Sequence, residues 1–177
     1  MDSNLQRLFM MEIVHQCGFA TLAYSGITYT LSNLRVKKSM DIFWYSLQSF
    51  LTASANISKI FWPVDKSPYK ERGEFMRSLL DIDNNVSFRL RDPRNHLEHF
   101  DERLDDWYSQ STHHNIIDTS IGTESSISGD IDFMRFFNTH TFTFRFRGDQ
   151  YEINPIHESL NVLLEKVNLE LSKPPTF

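Results

Sequence analysis

The sequence predicts a mainly α-helical protein, a helical bundle with a small β-hairpin inserted before the last helix. Apolar residues recur at intervals of three and four over long segments, which is the period of a helix with one buried face. Clusters of proline, glycine, asparagine and aspartate separate those segments. One stretch near the C-terminal end, THTFTFRFRGDQYEI, instead alternates apolar and polar residues, which is the period of a strand.

The predicted elements follow from the start and stop signals of each segment. Helices are expected to begin at Ser, Asp or Asn caps and to end before proline, as at Trp62-Pro63. In chain order we predict a helix over 3–33 capped by Ser3, a helix over 39–61, a short helix over 74–80, a helix over 93–108 capped by Asp92, a short strand over 115–119, a hairpin that turns at Gly148-Asp149, and a last helix from Asn154.

The bulk composition limits the domain count and the function classes. A chain of 177 residues suits one domain, so we predict a single domain over 1–177 with a β-containing insertion over 109–154. The net charge of −5 excludes a globally basic surface, so an anionic substrate would have to meet a local basic patch. The single cysteine, Cys17, excludes an internal disulfide, and its apolar neighbours predict a small buried packing residue.

The N-terminal stretch MDSNLQRLFM lacks the apolar core of a secretory signal peptide. No uninterrupted apolar run approaches the ~18–20 residues of a membrane span. We therefore expect a soluble, cytoplasmic protein that makes no membrane contact.

The segment RDPRNHLEHFDERLDDW, residues 91–107, concentrates the candidate functional residues. On a helical wheel, an apolar stripe that we expect to face the bundle core is formed by Leu97, Phe100, Leu104, Trp107 and Tyr108. The opposite, polar side carries Asn95, His99, Glu102 and Asp106. The His99 side chain is therefore predicted to point away from the core of its own chain, toward water or a second molecule.

Arg94 lies five residues before His99, so on an ideal helix the two side chains diverge by about 140°. Arg94 belongs to the predicted first turn, however, and its side chain is long enough to curl over the helix end. The N–H groups exposed at that end favour anions, so a phosphate there would meet Arg94 and the helix dipole together.

The pattern Arg94-Asn95-x3-His99 resembles the Arg-x4–6-His signature of the HEPN superfamily, including the polar residue that often follows its arginine. The stretches RNHLEHFDERLDDW and FLTASANISKIFW also resemble those of bacterial HEPN-type proteins. The resemblance covers residues 4–108 and 155–172 and leaves out the β-containing segment 109–154. It implies a HEPN-like up-and-down helical bundle that works as a homodimer.

The resemblance also implies a metal-independent endoribonuclease without a cofactor, in which the arginine and histidine of both subunits line a shared cleft. RNA supplies its own nucleophile, the ribose 2′-hydroxyl. His99 would move a proton, Arg94 would stabilise charge on the phosphorus oxygens, and Asn95 would orient His99 or a phosphate oxygen. The candidate substrate-binding residues are His96, Glu102 and Arg103. A role as a toxin or defence component, with RNA and a cognate antitoxin as partners, is implied as well.

Two alternatives concern the same helix. RNA is repelled by its acidic side, which carries Glu98, Asp101, Glu102, Asp105 and Asp106. This acidity favours a catalytically inactive HEPN-like module for dimerisation or for nucleotide or partner binding. A metal site built from His96, His99 and Glu102 is disfavoured because the two histidines diverge by about 60° and lack His-x3-His spacing, so no metal is expected.

The predicted hairpin carries Arg145 and Arg147, which alternate with Phe144 and Phe146. Basic residues between aromatic ones bind single-stranded nucleic acid by stacking. A strand with one face packed on the helices has the same alternation, so both interpretations stay open.

Overall fold

A computed structural model describes residues 1–33, 37–64, 69–90, 99–111, 116–123 and 131–174. These residues form a mainly helical fold with a small mixed sheet, which confirms the coarse fold class predicted from the sequence. None of the helices in these ranges combines the length and the apolar character needed to cross a membrane. The chain divides into a helical unit, Met1–Arg94 with Ile156–Phe177, and a sheet unit, Asn95–Pro155.

The described helices are α1 (Ser3–Leu31), α2 (Lys37–Phe61), α3 (Lys70–Leu79), α4 (Phe100–Gln110) and α5 (Ile153–Leu171). The described strands are β1 (Ile116–Ile117), β2 (Ser120–Gly122), β3 (Asp132–Phe133), β4 (Arg135–Asn138), β5 (Thr143–Phe146) and β6 (Asp149–Glu152). Helices α1, α2, α3 and α5 and the short strand β1 confirm the elements predicted at those places.

The N-cap predicted for α1 is wrong by one residue. Asp2, not Ser3, precedes the helix, and its carboxylate accepts hydrogen bonds from the backbone N–H of Asn4 at 3.0 Å and of Leu5 at 3.1 Å. The carboxylate takes the cap because the extended backbone at Asp2 directs it to the N–H groups that lack a partner within the helix.

Helices α1 and α2 form an antiparallel pair. Asn56 Nδ2 donates a hydrogen bond to Gln16 Oε1 at 3.4 Å, and Gly26, further along α1, lies against Ser46, further back along α2. A Cβ atom at position 26 would stand 2.4 Å from Ser46 Oγ, so the helices approach closely where α1 lacks a side chain. The core of the pair is formed by buried apolar side chains, among them Met10, Ile13, Ala20, Ile27, Phe43, Leu47, Phe50 and Ile57.

Helix α5 packs against α1 in the helical unit. The rings of Tyr24 and His157 stack with centroids 3.8 Å apart and planes inclined by 2°. Cys17 Sγ lies 3.8 Å from the carbonyl oxygen of Leu160. Cys17 is buried, as its apolar neighbours predicted, and this burial raises the pKa of its thiol to about 12.

The sheet unit contains a four-stranded sheet of order β2-β4-β5-β6 and a separate parallel pair, β1 and β3. Strand β2 runs parallel to β4, whereas β4, β5 and β6 pair antiparallel. The predicted hairpin is therefore present as β5 and β6. Its turn is formed by Arg147 and Gly148, with φ of 49° and 100°, and not by Gly148-Asp149. Two positive φ angles are typical of the tight turn whose twist matches that of the flanking strands.

Helix α4 differs from the helix predicted over 93–108. It begins at Phe100, and His99 stands before it with φ −108° and ψ 39°, so the prediction that the helix passes through His99 is wrong. The predicted start, with its Asp92 cap, lies outside the described residues. The prediction of a buried apolar stripe is also wrong for α4, because the helix has no buried residue and Tyr108 is 60% exposed.

Candidate functional site

His99 lies at the N-terminal end of α4 and is exposed to solvent, which agrees with the outward orientation expected from the sequence. Its Nδ1 atom lies 3.6 Å from Oε2 of Glu102, one turn into the helix. The His99 side chain makes no hydrogen bond to the helix end, so it does not cap the N–H groups of the first turn. The imidazole is thus available to a molecule that approaches from solvent.

The other predicted site residues are only partly described. Arg94, Asn95 and His96 lie outside the described residues, so the structure does not test their contact with His99. Arg103, predicted to bind substrate, places Nη1 3.8 Å from Oδ2 of Asp106 on the next turn of α4. Of the predicted set, the structure brings together His99 and Glu102, while Arg103 forms an ion pair within its own helix.

The exposed surface of α4 is acidic, as predicted. Its exposed carboxylates belong to Asp101, Glu102, Asp105 and Asp106. Two of them, Asp101 and Glu102, stand in the first turn, where negative charge interacts favourably with the helix dipole. They also reduce the attraction of this helix end for a phosphate, because like charges repel.

Arg147 connects the hairpin to α4, a contact that the sequence analysis missed. Its guanidinium donates to Oε1 of Gln110 at 3.1 Å and to the carbonyl oxygen of Arg103 at 3.4 Å, and lies 3.5 Å from Oδ2 of Asp106. The Arg147 side chain is only 17% exposed. This guanidinium therefore joins two elements of the sheet unit, which disfavours the stacking role considered for Arg147. The position of Gly148 suits the second residue of a two-residue turn, and this signal could have placed Arg147 in the turn.

A second missed feature is the ion pair of Asp118 and Arg135. Arg135 Nε donates to Asp118 Oδ1 at 2.8 Å, and its Nη2 donates to Oδ2 of the same carboxylate. The guanidinium also lies 4.8 Å from the centroid of the Phe100 ring. These contacts link the strand β4 to the start of α4, next to His99.

A pocket of about 370 Å³ opens between the C-terminal end of α4 and the hairpin. Trp107 and Phe133 supply aromatic surface, and Arg145 and Arg147 supply charge. Its Asp132 carboxylate accepts a hydrogen bond from the hydroxyl of Ser111. The volume suits a small ligand, but none of the predicted site residues is among the described residues that line the pocket.

The sequence disfavours a metal site at His96, His99 and Glu102. His96 lies outside the described residues. Within the described ranges, no group of three or more His, Cys, Asp or Glu side chains is arranged to hold a metal ion.

Comparisons of the chain with models of protein families, with curated proteins and with solved structures find no match.

Proposed function

We propose that the chain is a metal-independent endoribonuclease of HEPN type that cleaves RNA at a site containing His99. The observation that carries the proposal is the exposed imidazole at the start of α4, with a carboxylate 3.6 Å from one of its two nitrogens. A histidine titrates near neutral pH, and a neighbouring carboxylate favours one tautomer and one ring orientation.

The proposed reaction is attack of the ribose 2′-hydroxyl on the adjacent phosphorus. Because Nδ1 of His99 lies beside Glu102, Nε2 is the nitrogen left to accept the hydroxyl proton. The 2′-oxygen then bonds to phosphorus, the bond to the 5′-oxygen breaks, and that oxygen takes up a proton. The products are a 2′,3′-cyclic phosphate and a 5′-hydroxyl. Proton transfer by a positioned side chain contributes about 10²–10⁴-fold to the rate.

Charge stabilisation is assigned to Arg94 on the resemblance alone. A guanidinium offers a planar fork of donors that matches two phosphate oxygens at once. Asn95 would hold a phosphate oxygen or the imidazole. In the proposed dimer, the arginine and histidine of two copies share one cleft, and a toxin or defence role would bring a cognate antitoxin.

The second candidate function is a module that dimerises or binds a nucleotide or partner without catalysis. It is favoured by the four exposed carboxylates of α4, which oppose the approach of a polyanion. The two candidates differ in whether His99 performs proton transfer.

The deciding experiment is a ribonuclease assay in the presence of a chelator. Wild type is compared with His99→Ala and with His140→Ala, which removes another exposed imidazole of the sheet unit. We expect cleavage by wild type and His140→Ala, a loss of about 10²-fold or more in His99→Ala, and products that end in a cyclic phosphate. Equal cleavage by all three folded proteins would contradict catalysis by His99. No cleavage by wild type would contradict the endoribonuclease and support the binding module.

A further inference from the structure

The α1–α2 face of the helical unit carries a groove of about 700 Å³ with exposed apolar walls. Phe19 and Leu22 of α1 form one wall and are 59% and 74% exposed. Ile42 and Tyr45 of α2 form the other and are 49% and 74% exposed. Large apolar side chains clustered at this exposure are typical of a surface that a partner covers.

The floor of the groove is made of small residues. Ala23 and Gly26 from α1 and Ser46 and Ala53 from α2 line it between the walls. The two helices approach closely at Gly26, which has no side chain to fill the furrow at that point. The same surface therefore presents both protruding side chains and a furrow that can receive them, which a two-fold symmetric interface requires.

The groove carries no formal charge. None of the described residues that line it is Asp, Glu, Lys, Arg or His, and its polar groups are hydroxyls and amides such as those of Gln16 and Gln48. When a surface that carries charges of one sign meets its own copy across a two-fold axis, like charges come close together. The uncharged groove avoids this repulsion, whereas the acidic surface of α4 would not. A highly charged partner such as RNA or an anionic membrane finds no counter-charge in the groove.

The exposed apolar area is also the right size. A large aromatic side chain carries about 150–250 Å², so Phe19, Leu22, Ile42 and Tyr45 at their exposed fractions offer on the order of 400–500 Å². One side of a standard interface uses about 800 Å², somewhat over half of it apolar. The two quantities agree.

We propose that the groove is a homodimer interface, in which the α1–α2 face of one copy packs on the same face of a second. Phe19 and Leu22 of one copy would fill the small-residue floor of the other, and the four helices would share one apolar layer. This assignment of the interface does not rest on the proposed function, because it stands whether or not His99 cleaves RNA.

The test measures molar mass and the dissociation constant by light scattering and sedimentation, up to about 100 µM protein. Leu22→Glu puts a charge into the groove, and Tyr45→Glu does so from the other helix. Leu169→Glu is the matched control, because Leu169 is 67% exposed on α5 and does not line the groove. Circular dichroism checks that each variant is folded. We expect all three to fold, because the replaced side chains are exposed.

We expect dimeric wild type and Leu169→Glu, and a dissociation constant raised at least about 30-fold in Leu22→Glu and in Tyr45→Glu. A wild type that stays monomeric overturns the proposal, whatever other molecule it binds. So does a dimer that both groove variants leave intact, since it would use another face. A dimer that forms without ribonuclease activity supports the interface and contradicts only the proposed function.

Discussion

Replacing Gly73 by alanine tests the packing of α3 on the end of α2. Gly73 is buried within α3, and a Cβ atom built there would lie 2.5 Å from the carbonyl oxygen of Phe61 and 2.6 Å from Cδ of Pro63. Both contacts are shorter than the 3.0 Å below which real Cβ contacts essentially never occur. The carbonyl of Phe61 also accepts a hydrogen bond from Arg77, so it moves away only at the expense of that bond.

The expected magnitude follows from two opposed terms. Alanine is favoured over glycine within a helix by about 1 kcal/mol. Overpacking a well-filled site costs about 1–3 kcal/mol, and the upper part of that range applies here because the obstacles are a backbone oxygen and a proline ring. We therefore expect a net loss of about 1–2 kcal/mol in the free energy of unfolding, which corresponds to a melting temperature lower by about 2–8 °C.

The assay is thermal unfolding followed by circular dichroism, with Gly18→Ala as the matched control. A Cβ atom at Gly18, within α1, meets nothing within 4 Å, so there the helix preference acts alone. We expect Gly18→Ala to raise the melting temperature by about 2–4 °C. A Gly73→Ala protein as stable as Gly18→Ala would refute the close approach of α3 to Phe61.

Three further predictions concern single side chains. Burial raises the pKa of the Cys17 thiol from 9.0 to about 12, so at pH 8 the thiolate in the folded protein is about a thousand-fold rarer than that of an unburied thiol. Alkylation of Cys17 should therefore occur only as the protein unfolds in urea. Rapid alkylation of the native protein would contradict this. Burial lowers the pKa of His157 below 6.5, so the folded state favours the neutral ring and loses stability as the pH falls below 6.5. The melting temperature of His157→Phe should then fall less between pH 7.5 and 5.5 than that of wild type. An equal fall in both proteins would contradict this prediction. Asp118→Asn, which breaks the paired hydrogen bonds to Arg135, should lower the free energy of unfolding by about 1 kcal/mol in a urea titration.

The long helices were predictable because their signal is local and repeated. In α1 and α2, a buried apolar residue recurs every three or four positions, and the pairing of the two helices buries that face. The small error at the cap of α1 arises because Asp2 and Ser3 are both good caps, and only the backbone angles decide between them.

The surroundings of α4 were less predictable because its neighbours come from distant parts of the sequence. Periodicity shows which side of a helix is apolar but not how far another element covers it, so Leu104 and Tyr108 were wrongly expected in the core. The contact of Arg147 with α4 depends on a turn shifted by one residue. Such a shift changes the direction of every side chain near the turn, so the local pattern could not reveal Arg147 as a link to Gln110.

Mixing two inactive variants tests whether the proposed cleft takes its arginine and its histidine from different copies of the chain. If a site combines Arg94 of one copy with His99 of another, a dimer of Arg94→Ala with His99→Ala contains one intact site out of two. Half of the dimers in an equal mixture are of this mixed kind, so co-refolding should restore about a quarter of wild-type activity. If the cleft forms in the proposed α1–α2 dimer, a further Leu22→Glu substitution in both chains should abolish this recovery, because it would weaken that interface. Recovery that survives Leu22→Glu would assign the shared cleft to a different pairing of the chains, and no recovery at all would assign the arginine and the histidine to the same copy.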